Sequence, residues 1–286
     1  MVKEKHLPWI LLVPVFVLLL AVTIYPFVYG IYLSLSNYSI ITGISFRGIG
    51  NYLDLFRDSR FLHSLKVTFI FVFSAVGAEF LVGLGIALLL NRQFWQKRIF
   101  VSLIYIPMIM APIAVALMWR MLYNADYGPI NYFLLLSRLT SRKIAWLSES
   151  QYALLSLIMV DVWQWSPFIF LVLYAGLQSV PPELVEAAQI DGASRWKIFR
   201  YLVLPFLSPF IVLAFLFRIM DAFKIFDSVA VLTKGGPGTS TEVVSWLSYL
   251  TGFTYFRLGY AAAMSIVLFA LIMLLSQVLL KRIKQQ

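Results

Sequence analysis

The sequence predicts an all-α polytopic membrane protein with six transmembrane helices, and three observations carry that prediction. Hydrophobic residues make up 61% of the 286, well above their share in water-soluble domains. They gather in six runs, each long enough to cross about 30 Å of hydrocarbon as a helix. The polar stretches between the runs alternate, short and basic on one side and mixed with acids on the other, as the positive-inside rule requires.

Lys3 and Lys5 precede the first run, residues 8–33, which contains Pro14 and Pro26. It lacks the short core and small-residue cleavage site of a signal peptide, so it reads as a retained helix with its N-terminus inside. Ser34 to His63 is polar and turn-rich and reads as outside, with Asp54 to Arg60 expected as a short interfacial helix. The second span, 65–90, is followed by the inside charges Arg92, Lys97 and Arg98. The third, 99–122, is broken by Pro107 and Pro112. The segment 124–150 returns outside, and the fourth span covers 153–176. A charged, small-residue segment, 179–204, then falls inside, before the fifth span at 205–232 and the sixth at 258–280. The tail Lys281-Arg282-Ile283-Lys284 ends inside, so both termini share one face and residues 1–286 form a single transmembrane domain.

The inside segment 179–204 is built to fold. Glu186, Ala187 and Ala188 favour helix, Asp191-Gly192 supplies a turn, and Ala193 to Tyr201 can continue as a second short helix before Pro205. Its spacing is Glu186-Ala187-Ala188, three residues, Gly192, nine residues, then Leu202-x-Leu204-Pro205. This resembles the EAA loop of ABC-importer membrane subunits, with Leu202 standing where that pattern has Ile. The resemblance implies that Glu186, Ala187, Ala188, Asp191, Gly192 and Ala193 form a cytoplasmic coupling helix that docks into an ATPase subunit. It also implies the type I importer permease fold.

After the fifth span comes Thr233-Lys234-Gly235-Gly236-Pro237-Gly238, a tight turn, with Thr239 to Thr241 placed to cap a helix from Glu242 to about Leu250. Trp246, Tyr249 and Phe253 suit an outer interface. The Thr-x-Gly-Gly-Pro phrase is similar to one of the two paired permeases of the maltose and glycerol-phosphate group. Phe46-x-Gly48 with Asn51-Tyr52, and Gly259-Tyr260-Ala261, fit the same group. The resemblance implies a homologous second permease, a cytoplasmic ABC ATPase dimer, an extracytoplasmic sugar-binding protein and a sugar cargo as partners. It implies a bacterial or archaeal plasma membrane, and no cofactor on this chain, with ATP and magnesium held by the ATPase.

Ionisable residues inside spans are candidates for function, since each costs about 3 kcal/mol on insertion scales unless paired or wet. Asp161, Gln164, Trp165 and Phe168 of the fourth span share one helical face. An acid, an amide and two rings suit a sugar, whose hydroxyls take hydrogen bonds and whose C–H faces stack. The resemblance places the sugar pocket on this helix, and Pro167 frees carbonyls beside it. The alternative makes Trp163, Trp165 and Phe168 lipid- or partner-facing. In the fifth span Arg218, Asp221 and Lys224 stand three residues apart and can form a ladder, either a brace or a polar wall. The two cations invite an anionic sugar derivative, with Asp221 able to neutralise one of them. Glu79 and Arg120 are expected to pair or snorkel.

The net charge of +10 is explained by span-end basic residues meeting headgroups and does not call for nucleic acid. Cysteine is absent, which excludes disulfides and thiolate chemistry. No Gly-x-x-x-x-Gly-Lys-Ser/Thr motif occurs, so energy must come from another subunit. His6 and His63 fall near opposite faces, and no metal-ligand spacing or Ser/His/Asp arrangement appears, so neither a metal site nor an enzyme is expected. The competing functions are an ion-coupled secondary carrier, which has no use for the coupling pattern, and an ABC permease for a non-sugar solute, against which the Thr-x-Gly-Gly-Pro phrase argues.

Overall fold

The computed structural model describes residues 7–39, 43–92 and 95–283. Lys3, Lys5, His6 and Lys284, which were expected to mark the inner ends of the chain or lie near them, are outside those residues. Among the described residues five helices are long and apolar enough to cross a membrane, and a bent helix pair makes a sixth if it counts as one span. The described residues group into two compact units, one from residues 1–62 and 247–270 and one from 63–246 and 271–286.

In the first unit, α1 (Leu7–Leu19) and α2 (Tyr25–Ser34) are joined by a π-helical stretch, Leu20–Ile24, into one apolar rod. A hairpin of β1 (Ser36–Ser39) and β2 (Gly43–Phe46) follows, pairing Ser36 with Phe46 and Ser39 with Gly43. The buried Asn51, on α3 (Gly50–Leu55), fastens hairpin to rod: its amide donates to the carbonyls of Ser34 and Ser36, both at 2.9 Å. Tyr52 bonds the Ser34 hydroxyl at 2.6 Å. The Asn51-Tyr52 signature is thus a clasp that satisfies carbonyls left open at a helix end. Gly259 has the same kind of reason, because a Cβ there would run into the backbone carbonyl of Ser36.

The expected helix at Asp54 to Arg60 is replaced by α3 and an earlier start of the second span. Asp58 explains why: its carboxylate accepts from the N–H of Arg60 at 2.9 Å and of Phe61 at 3.3 Å, capping α4 (Ser59–Leu90). The third span is a sharply bent pair, α5 (Lys97–Ile109) and α6 (Pro112–Leu122), which meet at 97°. Met110 and Ala111 are extended at the corner, as a residue before proline prefers to be. After α7 (Pro129–Leu136), Arg142 and Lys143 pair with Glu149 and Asp126 at 3.5 and 3.6 Å. The fourth span is α8 (Ser150–Gln178), unbroken across Pro167.

The segment 179–204 contains α9 (Pro182–Ile190) and α10 (Arg195–Ile198). The second helix is not short in effect, because a π-helical stretch, Phe199–Val203, carries it directly into α11 (Leu204–Ala222). The fifth span therefore ends at Ala222 rather than 232, and Val229–Thr233 forms a separate π-helical turn. Thr239 to Thr241 do not cap the next helix. Thr241 instead bonds the carbonyl of Gly236 at 2.7 Å and the hydroxyl of Thr233 at 2.8 Å, closing the glycine-rich turn on itself. The first N–H of α12 (Val244–Tyr249) is met by Thr68 of α4 at 2.9 Å. Trp246 is buried rather than interfacial, packed on Phe226 and against Gly235, while Tyr249 and Phe253 are exposed. The final helix is α13 (Leu258–Ile283).

Packing in the second unit centres on α4, α8 and α11, through Ala87, Leu90, Ile169, Phe170, Leu173, Leu177, Leu207 and Ala214. Small residues let these helices approach closely, as in membrane bundles generally. A Cβ on Gly176 would lie 2.7 Å from Phe210 and 2.8 Å from Leu207. Gly176→Leu is expected to destabilise the permease by about 1–3 kcal/mol through overpacking. Thermal unfolding of the detergent-solubilised complex measures this. Gly85→Leu, at a site with nothing within 4 Å, is the control that should leave the midpoint unchanged.

Candidate functional site

Two sites emerge, both within residues 63–246. The first is the elbow between α9 and α10. Helix α9 ends in a left-handed cap: Gly192 has φ +75°, its N–H bonds the carbonyl of Gln189 at 3.0 Å, and the N–H of Ala193 bonds that of Ala188 at 2.9 Å. This is the Schellman arrangement, and it gives Gly192 a physical reason, since only glycine enters that region without strain. Ser194 then caps α10, accepting from the N–H of Lys197 at 3.4 Å. Glu186, Ala187, Asp191 and Gly192 are exposed, and Ala188 and Ala193 are half-buried. Glu186 also lines a cavity of about 530 Å³ shared with Leu88, Asn91, Gln178 and Phe199. The elbow carries large apolar groups outward as well, with Ile190 87% and Trp196 69% exposed. An apolar, turn-stiffened protrusion of this kind is suited to a partner's groove.

The second site lies among α8, α11 and the corner between α5 and α6. All seven residues read as substrate-path candidates meet here. Trp165, Phe168, Arg218, Asp221 and Lys224 line a cavity of about 290 Å³ with Phe217 and Met220. Asp161, Gln164, Trp165, Asp221 and Lys224 line an adjoining one of about 310 Å³, closed by Pro112 and by residues 225–228. Buried Gln164 donates to the carbonyl of Met110 at 3.3 Å, using the acceptor that the bend frees. Phe168 packs edge-on to Phe217 with centroids 6.4 Å apart. The aromatic residues of the fourth span are therefore divided. Trp165 and Phe168 line the cavities that hold the charged residues, while Trp163 joins Trp119 in an apolar groove of about 740 Å³ on another side of α8.

The expected ladder is present. Asp221 lies 3.1 Å from Arg218 and 3.2 Å from Lys224. Arg218 has further partners in Glu79 at 2.6 Å and Asp161 at 2.8 Å. It thus meets three carboxylates and offers no free positive charge to an anionic solute. Lys224, largely exposed, is the cation at the rim. Glu79 does pair, as expected, but its place at the centre of the site was not legible. As the lone acid of an otherwise apolar span it was the available signal. Arg120 reaches the carbonyl of Val231 at 3.4 Å.

Residues 79–285 match the family described as "Binding-protein-dependent transport system inner membrane component". A probable ABC transporter permease protein, y4oQ of Sinorhizobium fredii, is 40% identical over 94% of this chain and 87% of its own. The trehalose/maltose transport system permease protein MalF of Thermococcus litoralis is 35% identical over 98% of this chain and 94% of its own. The crystal structure of a bacterial ABC transporter involved in the import of the acidic polysaccharide alginate has the same fold. It superposes with a TM-score of 0.85 over 99% of this chain and 97% of that one, at 21% identity. The exposed elbow, the membrane-length helices and these likenesses agree: the chain belongs to the binding-protein-dependent transport system inner membrane component family and is an ABC transporter permease subunit.

Proposed function

We propose that this permease subunit imports a sugar or oligosaccharide by alternating access, driven by ATP hydrolysis on a partner. A homologous permease completes the path, one of two ATPase subunits docks on the elbow 186–193, and a sugar-loaded binding protein docks on the opposite face. Both termini and the elbow lie on the cytoplasmic side, and this chain binds no cofactor of its own. ATP binding draws the two elbows together and turns the path outward, and hydrolysis resets it. The observation that carries the cargo class is the wall of the paired cavities. There the rings of Trp165 and Phe168 line the wall beside the carboxylates of Asp161 and Asp221, the amide of Gln164 and the ammonium of Lys224. Rings for C–H faces and polar groups for hydroxyls are the chemistry of sugar recognition. The trehalose/maltose system of the Thermococcus relative supports the same class.

Counted as ionised, the salt-bridged cluster holds three carboxylates against two cations, and Asp227 adds a further carboxylate to the cavity wall. Such a wall disfavours an anionic solute. The test is to purify the complex through a tag on this chain and identify its companions by mass spectrometry. ATP hydrolysis is then measured with binding proteins loaded with trehalose, maltose or a uronic-acid oligosaccharide. Stimulation by a neutral sugar supports the reading, and stimulation by the acid alone overturns the charge argument. A lone chain that accumulates solute without ATP overturns the importer altogether. Trp165→Ala is expected to lower sugar import about tenfold, the worth of one lost aromatic contact, with Trp165→Phe recovering most of it. Uptake of labelled sugar into proteoliposomes measures both.

A further inference from the structure

Glu79 is absent from every motif, yet no part of its side chain is exposed. Both of its oxygens are taken by Arg218: Nε donates to Oε2 at 2.6 Å and Nη2 to Oε1 at 2.8 Å. The remaining bonds of the guanidinium run toward the cavity wall. Nη2 donates to Asp161 at 2.8 Å and Nη1 to Asp221 at 3.1 Å, while its central carbon stands 5.0 Å from the ring centroid of Trp165. Four of five N–H donors are thereby used and one face is covered by a ring, so little of Arg218 is left for a passing solute.

We infer that Arg218 is a positioning residue rather than a sugar contact. Glu79 on α4 anchors it, and through it fixes the aim of Asp161 and Trp165 on α8 and of Asp221 on α11. The inference deepens the sugar-import reading and rests on it for the cargo. The geometry favours positioning over a plain brace because the fork begins on a fully buried acid and ends on three side chains that line the cavities. A lysine could not replace it: one ammonium cannot hold a planar fork to Glu79 and still reach Asp161 and Asp221.

The variants are Glu79→Gln, Glu79→Asp and Arg218→Lys, each in the full complex in proteoliposomes with labelled trehalose and maltose as probes. Glu79→Gln is nearly isosteric but presents one acceptor and one amide donor to a donor-only guanidinium. It is expected to assemble as wild type and to lower sugar imported per ATP hydrolysed about fivefold, the worth of one mis-aimed hydrogen bond. Glu79→Asp should recover part of this, and Arg218→Lys should behave like Glu79→Gln. An unchanged sugar-to-ATP ratio, with activity falling only in step with assembled complex, would make the pair structural and overturn the inference. A second measurement needs no sugar. The chain lacks cysteine, so Phe168→Cys places a single thiol on the cavity wall. Adding Glu79→Gln should change its rate of maleimide modification about threefold or more as the wall loosens locally. The exposed Leu139→Cys is the control. Equal rates in the two backgrounds would also overturn it. If wild type imports neither sugar but the thiol rates differ, the cargo reading fails and the positioning role stands.

Discussion

Gly192→Trp is expected to abolish sugar uptake, by about twentyfold or more, while the two permeases still co-purify. The residue sits at φ +75° with nothing within 4 Å of its Cβ position, so the defect would not be a clash inside this chain. It has two parts. A residue with a Cβ in the left-handed region costs roughly 1–2 kcal/mol, which is charged against the Schellman cap that ends α9. The indole would also stand on the exposed elbow, between Glu186 and Asp191 on one side and Trp196 on the other, where a partner surface must close. Gly192→Asn, which tolerates the left-handed region, separates these parts and should retain most uptake. Co-purification with the ATPase, basal ATP hydrolysis and uptake are measured together. Normal uptake by Gly192→Trp would remove the docking role from the elbow.

Arg218→Met is expected to be the most destabilising single change in the membrane-embedded part of the chain. It leaves Glu79, fully buried, and Asp161, nearly so, facing each other without their shared cation. Breaking a buried pair by removing one partner costs about 3–5 kcal/mol. The assembled complex should be recovered at low yield, with a thermal midpoint well below wild type. The double variant Glu79→Met with Arg218→Met removes the worst of the uncompensated charge and should regain yield, since exchanging both partners of a buried pair for apolar groups is often close to neutral. Import should stay low even so, because Asp161 and Trp165 lose the group that aims them. If the double variant transports as wild type, the cluster serves stability alone. Size-exclusion yield, thermal unfolding and uptake per assembled complex distinguish the three cases.

The sequence by itself determined the membrane class, the six crossings and the elbow. Each follows from short-range rules: apolar run length set by bilayer thickness, positive charge at span ends, and a fixed spacing from Glu186 through Gly192 to Pro205. Helical periodicity likewise placed Asp161, Gln164, Trp165 and Phe168 on one face, and Arg218, Asp221 and Lys224 on another. Boundaries failed where a capping side chain, rather than apolar run length, decided the end. Asp58 caps α4 seven residues before the apolar run begins, and Thr68 rather than Thr239 to Thr241 receives the first N–H of α12. The tertiary structure alone decided which charges meet. Glu79 stands 139 residues from Arg218, and Asp161 stands 57. No local period links them, because their proximity comes from the close approach of α4, α8 and α11 across small residues such as Gly83 and Gly176. The same packing turned Trp165 toward the charge-lined cavities and Trp163 toward an apolar groove, a choice that two aromatic residues on one helix do not carry in their spacing.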